Sequence, residues 1–222
     1  MIKETMAPEI RTVIFDCGQV ITFGWNASYV DKMAGLLKVE LEAFKKAYVV
    51  ERGEYDRGTI TVEDYWRAVA LRLGRPMDSS LVREMSDLDM DSWFTINPDT
   101  VALARRLGEK GCRILMLSNM NLEGKLRMYT SARWLGGEDW ISYFDDLILS
   151  CDVGMIKPER KIYELCLGRA AAPPGACLFV DDIEKNLEAA RELGIKTHLF
   201  SDAAALEEVL RTEYGLLVEE KK

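Results

Sequence analysis

The run Val13-Ile14-Phe15-Asp16-Cys17-Gly18 constrains the fold more than any other stretch of this chain. Its apolar start reads as a strand buried on both faces, the pattern of a parallel sheet covered by helices on each side. The strand ends on a carboxylate, and Gly18 two residues on is expected to let the backbone turn sharply. In doubly wound α/β folds, ligands bind in the crevice beyond the carboxyl ends of parallel strands. Asp16 is therefore placed for chemistry if further parallel strands join this one. Asp before a glycine is also ordinary turn chemistry, and the stretch alone does not separate the two readings.

The remainder of the chain supplies those strands. Cys112 to Leu117, Asp146 to Ser150, Ala176 to Val180 and Lys196 to Phe200 are short apolar runs separated by helical patterns, which indicates a parallel sheet with right-handed crossovers. Between Gly24 and Ile96 only helical periodicity is found: Trp25, Tyr29, Met33, Leu36 and Leu37, then Leu41, Phe44 and Tyr48. Glu51 to Gly58 reads as a polar break. Thr61, with Glu63 and Asp64 behind it, reads as a capped helix start, and a further helix runs around Leu81, Met85 and Leu88. Asn97-Pro98 suits an N-cap followed by proline in the first turn. The expected architecture is thus a Rossmann-like, doubly wound parallel α/β sheet, residues 1–21 and 98–222, with an inserted helical cap domain, residues 22–97.

Composition narrows the function. With 222 residues and 48% hydrophobic content the chain can bury a sizeable core. A net charge of −8, from 37 acidic and 29 basic residues, argues against a nucleic-acid partner, which calls for a basic face. The five cysteines form no CxxC pair and lie mostly in apolar runs, which fits reduced core thiols. No signal-peptide layout opens the chain, and no apolar run approaches membrane-spanning length. A cytoplasmic protein with no membrane partner is expected; its oligomeric state stays open, a homodimer included.

Three strands end in complementary polar groups: Asp16, Ser118-Asn119 and Asp181-Asp182. Parallel packing would bring them to one crevice, and Lys157, in Gly154-Met-Ile-Lys-Pro158, could reach the same place. Carboxylates from two strands would hold a hard cation, with Mg²⁺ the expected one, while a lysine and a serine would bind phosphate oxygens. Metal-assisted phosphoryl transfer is the chemistry this set suits. Each piece alone is common turn or cap chemistry; their joint occurrence at strand ends is not.

These motifs resemble those of the haloacid dehalogenase-like hydrolase superfamily: Phe15-Asp16-Cys17-Gly18, Leu117-Ser118-Asn119, Lys157-Pro158 and Phe179-Val-Asp181-Asp182. Glu51-Arg-Gly-Glu54, Ser118-Asn-x-Asn121, Gly154-Met-x-Lys-Pro-Glu159 with Ile162-Tyr163, and Asn186 are similar to the capped bacterial subgroup that includes a glucose-1-phosphate phosphatase. The resemblance implies Asp16 as the nucleophile, forming an aspartyl phosphate, and Lys157 as the group that neutralises phosphate and orients Asp16. It implies Ser118 hydrogen-bonding the phosphoryl oxygens and Asn119 as a further substrate-binding residue, with Asn119 and Asn121 lining the site. Asp16, Asp182 and the carbonyl of residue 18 would hold Mg²⁺, with Asp181 in support. The expected substrate is a small phosphorylated metabolite such as a sugar phosphate.

Gly18 departs from that pattern. Family phosphatases usually carry a second Asp there to protonate the leaving group and then activate water, and Gln19 cannot replace it because an amide does not titrate usefully. Three accounts fit: a leaving group that needs little acid help, a cap carboxylate among Glu51, Glu54 and Asp56 serving instead, or a protein that binds phosphate without catalysis. A 2-haloacid dehalogenase, which needs no such acid and no metal, is the alternative enzyme. Cys17 has no activating base nearby in sequence, His198 reads as structural, and Trp25, Trp66 and Trp93 read as cap core. Arg52 reads as a solvated cap residue by default, with contact to substrate as the other reading.

Overall fold

The computed structural model describes residues 9–131, 137 and 139–217. Residues 1–8, 132–136, 138 and 218–222, which belong to the expected core segments 1–21 and 98–222, lie outside the described residues, as does most of the N-terminal stretch read for a leader. Five parallel strands form one sheet: β1 (Thr12–Phe15), β2 (Arg113–Ser118), β3 (Asp146–Leu149), β4 (Cys177–Asp181) and β5 (Lys196–Leu199), in the order β3-β2-β1-β4-β5. The first strand in sequence lies at the centre of the sheet. Its register sets Phe15 beside Met116 on one side and Val180 on the other, so Asp16 emerges level with the ends of β2 and β4.

Strand alternation feeds two apolar layers. Val13, Phe15, Ile114, Met116, Leu178 and Val180 pack with α6 (Pro98–Glu109) and α11 (Ala203–Thr212) on one face. Ile14, Leu115, Leu117 and Phe179 pack with α9 (Arg160–Arg169) and α10 (Glu184–Arg191) on the other. Burying both faces is what makes these strands read as nearly continuous apolar runs.

Between β1 and β2 the chain makes α1 (Ala27–Leu37), α2 (Leu41–Val50), α3 (Arg52–Arg57), α4 (Val62–Arg72) and α5 (Ser79–Trp93), which share a separate apolar cluster including Met33, Phe44, Tyr65, Trp66, Val69 and Met85. Thr61 caps α4 with the reciprocal Asp64 bond of a capping box, and Asn97 caps α6 with Pro98 in its first turn. The two chain segments that lead into and out of the helical insert run side by side: Thr22 and Ile96 form an antiparallel bridge, flanked by bonds from Phe23 N–H to the Thr95 carbonyl and from Asn97 N–H to the Ile21 carbonyl. After β2 come α7 (Leu122–Ser131) and, after β3, α8 (Ser150–Val153).

Two local expectations are corrected. Glu51 to Gly58 is not a break, because Arg52–Arg57 is helical and ends on Gly58 at φ 80°. Charged side chains disguise this turn, since Arg52 and Asp56 pair on its inner side. The sharp turn after β1 is made not by Gly18, whose φ of −63° and ψ of 131° suit any residue, but by Gln19 in the left-handed region at φ 60°.

Candidate active site

The ends of β1, β2 and β4 open into one cavity of about 220 Å³. Asp16, Gly18, Ser118, Asn119, Lys157 and Asp182 all line it, together with Asn121 and, from the helical insert, Arg52, Asp56 and Trp93. Asp181 lies behind this wall, fully buried. Every residue expected at the site is therefore at or directly behind one cavity.

Lys157 is the centre of the charge arrangement. Its ammonium lies 2.8 Å from Asp16 Oδ1 and 2.6 Å from Asp181 Oδ2, with all three side chains almost completely buried. Burial works against the ammonium, but the two carboxylates outweigh it and its pKa rises. The Asp16 pKa also rises, to about 7: burial raises it, Lys157 opposes the rise, and Asp181 and Asp182 add to it. Asp16 Oδ1 also accepts from the Cys17 N–H at 2.7 Å. Asp181 is saturated, taking bonds from Lys157, the Ile183 N–H and both its oxygens from the Asn186 amide, so it acts as a brace.

Asn119 lines the cavity and is engaged with the Lys157 backbone. Its Oδ1 accepts from the Lys157 N–H at 2.7 Å and its Nδ2 donates to the Lys157 carbonyl at 2.9 Å, so both polar ends fix the lysine's backbone. Ser118 is buried at the same wall. Cys17 is buried, and burial followed by the neighbouring Asp16 pushes its thiol far above the ordinary range, which leaves no thiolate for nucleophilic work.

Oxygen ligands of Asp16, Asp181 and Asp182 come within 4.8 Å of one another. Two of these carboxylates, Asp16 and Asp181, pair with the ammonium and Asp182 lies beside them, a donor set of hard oxygens suited to Mg²⁺ rather than to a soft metal. With Asp181 saturated, Asp16 and Asp182 are the side chains that could hold the ion.

Sequence reasoning missed three contributors. Gln19, dismissed as a proton carrier, donates from Nε2 to Asp182 Oδ2 at 2.6 Å. Trp93, expected in the cap core, lines the cavity and stands over Gly18: a Cβ on that glycine would lie 3.3 Å from the indole Cζ3. The ring is fixed by a bond from Nε1 to the Tyr48 hydroxyl at 3.1 Å and by stacking on Trp25 at 6.4 Å. Arg52 is not solvated; it is held by Asp56, Asp89 and the Tyr48 hydroxyl, with its charge over the rings of Tyr48, Tyr55 and Tyr65. Periodicity carries no signal for any of these, because each depends on how the insert sits over the sheet. Glu51 and Glu54 do not line the cavity; Asp56 does. His198 sits half-buried on β5, away from the cavity.

A family model for haloacid dehalogenase-like hydrolases matches residues 10–194. The chain belongs to that family of hydrolases. Among its relatives, Bifunctional epoxide hydrolase 2 of Rattus norvegicus is 35% identical over 124 residues, 54% of this chain and 22% of that one, so the chain spans about a fifth of the relative's length. A sesquiterpene phosphatase of Aspergillus oryzae is 26% identical over 202 residues, covering 90% of this chain and 94% of the other. A haloacid dehalogenase-family enzyme of Bacteroides thetaiotaomicron, solved with magnesium and inorganic phosphate, shares the fold at TM-score 0.67 and 20% identity, covering 89% of this chain and 98% of that one. No helix among the described residues is long and apolar enough to cross a membrane.

Proposed function

We propose that this hydrolase is a Mg²⁺-dependent phosphatase acting on a small phosphomonoester through an aspartyl phosphate on Asp16. The observation that carries the reading is the surplus of negative charge at the strand ends: buried Asp16 and Asp181 and half-buried Asp182, clustered with one lysine. Such a surplus is costly in a low-dielectric site unless a cation offsets it, and a metal-free displacement on carbon gives it no purpose. This weighs against the dehalogenase alternative.

Asp16 and Asp182, with the main-chain carbonyl of Gly18, would hold the ion. When bound, Mg²⁺ would neutralise charge and act as a Lewis acid toward phosphoryl oxygens. Lys157 would bind the same oxygens while keeping Asp16 ionised and aimed, and Ser118 would donate a hydrogen bond to them. Both fixed contacts of Asp16 fall on Oδ1, which reserves Oδ2 for attack on phosphorus. Asn119 would act through Lys157.

Residues 22–97 would serve as the cap over the core of residues 1–21 and 98–222, opening to admit substrate and closing to exclude water. The cavity is smaller than the roughly 300–1,000 Å³ of drug-sized sites, which favours a small phosphorylated metabolite, a sugar phosphate among them. The test is phosphate release from a panel of phosphorylated metabolites, with and without Mg²⁺. Wild-type release that requires the metal, and falls at least about 10³-fold in Asp16→Asn, is the expected result. Halide release from 2-haloacids with no phosphate release would overturn it.

A further inference from the structure

We infer that the aspartyl phosphate on Asp16 breaks down more slowly than it forms, so that the phosphorylated enzyme accumulates during turnover and the enzyme selects substrates by leaving group. The inference rests on the phosphatase reading above and concerns which of its two steps is slow.

In the first step an Asp16 oxygen bonds to phosphorus and the bond from phosphorus to the substrate oxygen breaks. The electron pair leaves with that oxygen, which takes its proton from water. In the second step water bonds to the same phosphorus, the bond to the Asp16 oxygen breaks, and the attacking water gives up a proton as the carboxylate is restored. A substrate whose leaving oxygen is a weak base passes the first step without an acid. The second step has the same nucleophile for every substrate, and water is a poor one without a base; a positioned base is worth about 10²–10⁴-fold.

The structure supplies no base at that place and crowds it. Gly18 has no side chain, its backbone conformation would accept any residue, and Trp93 at 3.3 Å from the Cβ position leaves less room than an ordinary contact, so the ring would have to shift slightly to admit one. The indole is pinned by Tyr48 and Trp25 and does not make room cheaply. The other carboxylates among the described cavity residues are committed. Asp56 Oδ1 accepts from the Asn121 amide at 3.0 Å and Oδ2 from the Arg52 guanidinium at 3.2 Å, so both oxygens are taken up by fixed donors. Asp182 accepts from Gln19. Lys157 is locked between Asp16 and Asp181.

The experiment is rapid-quench turnover of p-nitrophenyl phosphate and a series of aryl phosphates with Mg²⁺, read together with the intact mass of the acid-quenched protein. Expected are a nitrophenol burst approaching one equivalent per chain and a mass increase of one phosphoryl group, absent in Asp16→Asn. Across the series kcat should stay constant while kcat/KM falls as the leaving oxygen becomes more basic. Gly18→Asp combined with Trp93→Ala should abolish the burst and raise kcat about 10²-fold. Steady Asp16-dependent release with no burst and no adduct would overturn this inference and leave the phosphatase reading standing. No release and no adduct from wild type would overturn both.

Discussion

At the scale of single residues, the site depends on small polar groups that hold the charged ones. Gln19 shows this best. Its left-handed backbone turns the side chain back over Gly24, where an added Cβ would lie 2.2 Å from Gln19 Cγ, and directs Nε2 onto Asp182. A carboxylate so fixed meets a cation already oriented, and losing such an outer partner typically costs about 10–100-fold in metal affinity. Gln19→Ala should therefore weaken Mg²⁺ binding at least about 10-fold by calorimetry, with little change in the thermal midpoint. Gly24→Ala should reproduce the loss, because it displaces the same side chain. Unchanged Mg²⁺ affinity in both variants would reduce Gln19 to a turn residue.

At the scale of elements, the strands were legible and the insert's inner face was not. Each strand carries its own evidence, an apolar run closed by Asp16, Ser118 or Asp181, and parallel pairing follows once helices alternate with strands. The boundaries agree to a residue or so: β1, β2 and β4 are found at Thr12–Phe15, Arg113–Ser118 and Cys177–Asp181. Helix α3 had no such marker, because four of its six residues are charged and helical periodicity is read from apolar ones. Its inward side is polar by design of the contact: Asp56 meets Asn121 and Arg52, the Asp56 carbonyl accepts from the Ser150 hydroxyl, and Tyr55 donates to Glu123. Trp93 was similarly mistaken for core, since a tryptophan at helical spacing looks the same whether it faces its own helices or the cavity of another layer. Asn121→Ala would strip a buried partner from Asp56 and leave the Gly124 N–H without its side-chain acceptor. A loss of about 1–3 kcal/mol in urea unfolding is expected. A change within 0.5 kcal/mol, the range of ordinary surface substitutions, would show that α3 docks by other means.

At the scale of the whole molecule, the insert is tied to the sheet by two kinds of bond that respond differently to conditions. The buried set is the Asn121–Asp56 and Ser150–Asp56 contacts, shielded from solvent at the cavity floor. The outer set is ion pairs nearer solvent: Arg57–Glu159, bidentate at 2.6 and 3.0 Å with Glu159 41% exposed, and Arg127–Asp91 at 2.7 Å. An exposed pair is worth roughly 0–1 kcal/mol and is screened at high ionic strength, whereas a buried hydrogen bond is hardly screened at all. The Thr22–Ile96 bridge joins the two linking segments, and a movement of the insert on the core would turn about it. Cap opening would then be limited by the buried set. Arg57→Ala and added salt should each raise amide hydrogen exchange in α3 only slightly, by less than about fivefold, and should not act additively, since both remove the Arg57–Glu159 pair. Asn121→Ala should raise it further and equally at low and high salt. If salt alone freed α3 as much as Asn121→Ala does, the outer pairs would be the true latch and the cavity floor a passive contact.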